Sequence, residues 1–155
     1  MNDKKVAEVI DIAIRREEEA YRFYMDICGK VQDRSAKDTL EFIAKEEQKH
    51  RDFLVGYRDG GYGVQALRMN DPIEYKIAEY LEEPPVGEDM RSQDIYLVAA
   101  HREKRSHDFY TELARLHSQG DLHTMLLKIA SEELKHKEKM EYLYANAAFP
   151  QTDGG

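Results

Sequence analysis

Apolar residues recur along this chain at alternating steps of three and four, the spacing of one face of an α-helix. Four such stripes can be followed. The first carries Val6, Ile10, Ala13, Glu17, Ala20, Tyr24 and Ile27, and the second Ala36, Leu40, Ile43, Glu47, His50, Leu54 and Tyr57. The third carries Tyr96, Ala99, Glu103, Ser106, Tyr110 and Leu113, and the fourth Leu122, Leu126, Ile129, Glu133, His136, Met140 and Leu143. They predict helices at 4–29, 35–58, 92–118 and 121–146. Each is about 25 residues long, or about 37 Å at the helical rise. Gly29 and the pair Gly60-Gly61 read as stops, and Asp33 and Ser35 as capping candidates. The tail FPQTDGG reads as frayed.

Two of the links are short, near 30–34 and 118–121, and predict antiparallel hairpins. The middle link runs from Gly60 to Arg91 and is rich in glycine and proline, with a short helix expected at 72–82. A link this long needs a structural reason. A crossover running the length of a bundle, joining two parallel helices, supplies one. That is ferritin-like connectivity, and the expected fold class is an all-α four-helix bundle forming one domain over 1–155.

The two hairpins repeat. Offset by 86 residues without gaps, 12 of the 38 positions from 13 to 50 are identical. Chance would give about 2 or 3. Glu17 falls on Glu103, Tyr24 on Tyr110, Glu47 on Glu133 and His50 on His136; Arg16/Arg102 and Phe23/Phe109 match as well. Two hairpins of common origin pack about a pseudo-two-fold axis, so paired residues converge on it from opposite sides.

Every stripe is apolar or aromatic except at its middle. The middles place four carboxylates and two imidazoles at matching heights. A Glu-x-x-His spacing alone fits a solvated helix face, since roughly 0.7 such pairs arise by chance in a chain of this composition. The repeat and the four aligned stripes outweigh that reading. Four carboxylates in a core are costly unless neutralised, and two divalent cations would cancel them. One Glu from each of two helices plus Glu-x-x-His from each of the other two is a dinuclear ligand set. Oxygen and imidazole donors suit iron or manganese, and zinc can take their place. The expected ligands are Glu17, Glu47, His50, Glu103, Glu133 and His136.

The choice within each glutamate pair follows from the faces. Glu132 shares a side with Lys128 and Lys139, whereas Glu133 shares one with Ile129 and Met140. Glu18 and Glu19 fall off the first stripe. Tyr24 and Tyr110 lie two turns beyond Glu17 and Glu103 on the same faces, and their hydroxyls can hydrogen-bond a ligand carboxylate. His101, His107, His117 and His123 lie off the inward middles and read as solvated. Cys28, the single cysteine, reads as buried filler and excludes an internal disulfide or a CxxC site.

Composition narrows the classes. The net charge is −8, with no basic stripe, which argues against nucleic acid as a partner. No run is long and apolar enough for a membrane helix, and MNDKKVAEVI lacks signal-peptide character, so the expected location is cytoplasmic.

The stretches AIRREEEAYRFY (13–24), FIAKEEQKH (42–50), AAHREKRSHDFY (99–110) and KIASEELKH (128–136) resemble the rubrerythrin group of the ferritin-like superfamily. The resemblance covers the four helices and not the crossover. It implies two irons held by the six residues, with Glu47 and Glu133 bridging and Glu17, Glu103, His50 and His136 terminal. It further implies a non-haem di-iron oxidoreductase that reduces hydrogen peroxide or dioxygen. Two departures stand out. No rubredoxin-like pair of CxxC motifs is present, so electrons come from an external donor such as a rubredoxin. Ser106 occupies the place of an extra glutamate associated with peroxide preference. A ferroxidase that oxidises Fe(II) to Fe(III), or a metal-stabilised structural or interaction module, are the alternatives. A homodimer is expected, with Tyr57, Tyr62, Tyr75 and Tyr80 among the candidates for covering a partner chain.

Overall fold

The computed structural model describes residues 3–60, 81, 83–84, 91–118 and 120–148. Four helices account for nearly all of them: α1 (Asp3–Lys30), α2 (Arg34–Arg58), α3 (Ser92–Leu116) and α4 (Gly120–Ala148). No strand occurs among the described residues. The expected helix at 72–82 lies outside them but for Leu81, as do Tyr62, Tyr75, Tyr80 and the tail from 149.

The ends follow local chemistry. Gly29 does not stop α1, which continues to Lys30; the Val31 amide then donates to the Ile27 carbonyl at 3.2 Å. Asp33 caps α2 by accepting the Ala36 amide at 2.8 Å, occupying one of the helix's otherwise unpaired donors. Past the end of α2, Gly60 takes φ +78°, a left-handed conformation that suits glycine. Gly120 does the same at φ +79° where α4 begins. The third helix ends at Leu116, two residues before the expected point.

Helix α1 packs on α2, and α3 on α4. Both pairs are antiparallel. Cys28 lies against Lys37 near one end of the first pair, and Asp11 pairs with Arg58 near the other. In the second pair, His107 meets the Ala130 carbonyl and His123 the Ala114 carbonyl. Between the pairs, Tyr24 on α1 reaches Glu103 on α3, and Tyr110 on α3 reaches Glu17 on α1. Helices α1 and α3 are therefore antiparallel too, which makes α2 and α3 parallel. Helix α3 therefore starts at the end of the bundle opposite to the one where α2 stops.

The inward stripes are buried almost throughout, and they build two apolar cores. One gathers Tyr24, Ile27, Leu40, Ile43, Tyr96, Ala99 and Met140 around the α1–α2 turn. The other gathers Ile10, Ala13, Leu54, Tyr110, Leu122, Leu126 and Ile129 toward the opposite end. The four glutamates and two histidines of the stripe middles form a polar layer between them. The stripes did not anticipate the start of α3, where Ile95 to Ala100 are buried on every side of the helix.

Candidate metal centre

Glu17, Glu47, His50, Glu103, Glu133 and His136 are all buried, none more than 5% exposed. Each is held one or two turns from aliphatic residues of its own helix, so the packing that fixes Ile43 or Ile129 also fixes the adjacent Glu-x-x-His. Within the glutamate pairs, Glu47 and Glu133 are buried, whereas Glu46 and Glu132 are only half-buried.

The six converge into two overlapping groups. Glu17, Glu47, His50 and Glu133 offer donor atoms within 4.8 Å of one another, as do Glu47, Glu103, Glu133 and His136. Glu47 and Glu133 belong to both. The two groups exchange under the pseudo-two-fold axis. Each hairpin supplies three donors to one group and one donor to the other. Both imidazoles turn Nδ1 inward. His50 Nδ1 lies 2.8 Å from Glu133 and 3.6 Å from Glu17; His136 Nδ1 lies 3.3 Å from Glu47 and 3.7 Å from Glu103. The two rings stack with centroids 5.6 Å apart.

The layer carries more polar atoms than it pairs internally. Among the described residues, Glu17 Oε2, Glu47 Oε1, Glu103 Oε2, Glu133 Oε2 and His136 Nδ1 are buried without a hydrogen-bond partner. Buried polar atoms are rarely left so, and here five of them belong to residues of the same two donor groups. That fits a layer whose remaining partners are cations, and its oxygen and imidazole donors match those that bind iron, manganese or zinc.

Electrostatics divide the four carboxylates into two kinds. Burial and then the charges of the other glutamates push Glu47 and Glu133 well above the ordinary value. Burial also opposes ionisation of Glu17 and Glu103, but hydrogen bonds overcome it. Glu47 and His50 lower Glu17, and Glu133 and His136 lower Glu103 to about 2. Burial disfavours the charged form of His50, yet Glu133 and Glu17 outweigh it and raise its pKa well above 6.5. The two carboxyls raised in this way are the two shared by both groups.

Tyr110 donates its hydroxyl proton to Glu17 at 2.7 Å, and Tyr24 to Glu103 at 3.1 Å. Each tyrosine thus serves the glutamate of the opposite hairpin. Burial, followed by the charge of the accepting glutamate, pushes both phenols well above their usual pKa, so they remain donors.

Other expectations fare unevenly. Cys28 is buried, and burial followed by the charge of Glu41 raises its thiol, as suits filler. The remaining histidines are outside the centre but are not simply solvated. All four are half-buried. His101, His107 and His123 each bond a backbone carbonyl, of Leu81, Ala130 and Ala114, because a ring nitrogen that packs against a helix needs a partner. Two features escaped the sequence reading. Lys137 and Glu141 form a fully buried pair at 3.2 Å, one turn apart on α4; their i,i+4 spacing was a visible signal but is common on solvated faces. Arg16 stacks on Phe109 and Arg102 on Phe23, with guanidinium carbons 3.9 and 3.8 Å from the ring centroids. All four are matched positions of the repeat.

One edge of the layer borders a cavity of about 250 Å³, which opens onto Glu17 between α1 and α2 and is lined also by Glu18, Tyr21, Arg22, Gln48 and Arg51.

An all-α four-helix bundle with a buried carboxylate–imidazole layer has the architecture of the dinuclear carboxylate proteins. Residues 1–56 match the family model of rubrerythrin, a match that spans the first hairpin with Glu17, Glu47 and His50. The first hairpin is thus similar to rubrerythrin, and the second hairpin carries the same motif through the internal repeat. Searches of curated proteins and of solved structures returned no match.

Proposed function

We propose that this protein is a non-haem di-iron oxidoreductase of rubrerythrin type, with the irons held by Glu17, Glu47, His50, Glu103, Glu133 and His136. The observation that carries the reading is the pair of buried donor groups sharing Glu47 and Glu133, which include carboxylate oxygens buried without a hydrogen-bond partner. Manganese or zinc can substitute at the same donors.

An iron pair supplies two electrons, enough to convert one hydrogen peroxide and two protons into two waters. The chain's own part is positional. Tyr110 and Tyr24 fix the orientation of Glu17 and Glu103 by donating to one oxygen of each. His50 and His136 present Nδ1 from one side of the layer, and the two apolar cores exclude water above and below. Electrons arrive from an external donor such as a rubredoxin, and the setting is cytoplasmic. Among the described residues, no helix is long and apolar enough to cross a membrane. A homodimer is the proposed assembly.

Ser106, half-buried beside the centre, favours a second reading. Without the extra glutamate that the resemblance associates with peroxide, the same six ligands suit a ferroxidase oxidising Fe(II) with dioxygen.

The test is anaerobic loading with two Fe(II) per chain, followed by rapid mixing with peroxide or dioxygen in parallel. Faster oxidation by peroxide supports the peroxidase, and faster oxidation by dioxygen the ferroxidase. In the double variant Glu47→Gln/Glu133→Gln, metal content should fall from two ions per chain to none. Because Gln resembles the protonated carboxyl, the metal-free variant should melt no lower than the metal-free parent. Retention of two ions by that variant would overturn the ligand assignment.

A further inference from the structure

A second opening lies on the pseudo-two-fold axis, between α1 and α3. It is a crevice of about 280 Å³ lined by Arg16, Glu19, Ala20, Arg102, Arg105 and Ser106. These residues are three pairs of the repeat: 16 with 102, 19 with 105, and 20 with 106. Its floor is made of the two smallest side chains, Ala20 and Ser106, one turn beyond Glu17 and Glu103 on the inward stripes. Small residues there leave room close to the carboxylate layer, and three guanidiniums and the exposed Glu19 carboxylate occupy the rest of the lining.

The three arginines differ. Arg105 is bound to Glu83 through two hydrogen bonds, at 2.7 and 3.2 Å. Arg16 and Arg102 form no ion pair with a carboxylate among the described residues. Each is held instead against a phenylalanine of the opposite hairpin. Stacking fixes the plane of a guanidinium and leaves its N–H edge free to donate. Arg16 Nε is moreover buried without a hydrogen-bond partner. A chain of net charge −8 thus places two stacked guanidiniums, neither in a direct ion pair among the described residues, in the lining of a small crevice where three cations outnumber one carboxylate.

We propose that this crevice binds a small oxyanion, of carboxylate or phosphate size, between Arg16 and Arg102. Two stacked guanidiniums facing one gap offer forked donors that match the oxygens of such an anion. The same charges repel a divalent cation, so this opening does not serve Fe(II). Within the function proposed above, on which this point rests, the crevice admits an anionic substrate or effector to the centre and favours the reading in which iron is resident. Once the carboxylates below are neutralised by metal, an anion in the crevice no longer faces their charge, and it should bind more tightly.

The experiment uses the full chain, first counted for zinc uptake and then titrated calorimetrically at low ionic strength with formate, acetate and inorganic phosphate. The zinc form should bind at least one probe saturably, at least threefold tighter than the metal-free form. The variant Arg16→Gln/Arg102→Gln should lose at least tenfold in affinity, while Arg16→Lys/Arg102→Lys keeps part of it. Arg34→Gln, which alters an exposed pair with Asp38, should change nothing. Formate or acetate alone binding would identify a carboxylate site, and phosphate alone a tetrahedral-oxyanion site. Absence of saturable binding by all three probes, or equal binding by the glutamine variant with unchanged helical circular dichroism, would overturn the proposal. Equal affinity with and without zinc would overturn the link to the centre. Failure to take up zinc would instead count against the metal ligands, and the arginine comparison would then be read on the metal-free protein.

Discussion

The pKa values of Glu47, Glu133 and His50 are all raised, so a cation binding there competes with protons. Loading two divalent ions should therefore release up to three protons, and affinity should rise with pH. Calorimetry in buffers of different ionisation enthalpy measures this directly. The metal-free protein has the opposite dependence. The folded pKa values of Glu47 and Glu133 lie above the ordinary 4.5, so their contribution to stability is complete below 4.5 and lost as pH rises through the folded values. His50 behaves alike from 6.5 upward. Glu17 and Glu103 act in the other direction, but only at acid pH, with Glu103 titrating at about 2. Thermal melting of the metal-free chain should fall as pH is raised above 6.5, and bound metal should suppress that fall. Replacing Tyr110 by Phe strips Glu17 of a buried donor and should cost about 1–3 kcal/mol by urea titration. An unchanged urea midpoint would mean that Glu17 finds another donor. The positions of these residues were legible because a 3.6-residue period separates Glu17 from Glu18 and Glu19 without a structure. The arginine–phenylalanine stacks were not. They join different helices, and no period along one helix encodes a partner on another.

At the scale of elements, the helices were readable to within a few residues, and the discrepancies have local causes. Gly29 lies inside α1 because the Val31 amide still finds the Ile27 carbonyl, so the glycine there supplies no turn. Asp33 does what its position suggested. Asp33→Ala removes the acceptor for the Ala36 amide and should lower stability by about 1 kcal/mol in a denaturant titration. Asp33→Asn should keep most of it. The start of α3 was the least readable element. Residues 95–100 are buried all round, and an all-apolar run has no face for a stripe to mark. Two anchors in the same region join α3 to the preceding link: His101 to the Leu81 carbonyl, and Arg105 to Glu83. Only the chain's path through space brings these residues together.

At the scale of the whole molecule, the topology followed from one long link and one repeat. The reciprocal contacts Tyr24–Glu103 and Tyr110–Glu17 bear it out by setting α2 parallel to α3. Without the link, a two-fold related pair of hairpins would be two separate pieces that meet in solution. Joining them changes their meeting from a bimolecular event to an intramolecular one, with an effective concentration in the millimolar range for a flexible connection. The link is thus a concentration device. A chain cleaved once between 61 and 80 should still assemble from its two fragments, since the apolar cores and the polar layer are formed by residues on either side of the cut. Its melting temperature should then climb with each dilution step reversed, tracking the logarithm of fragment concentration.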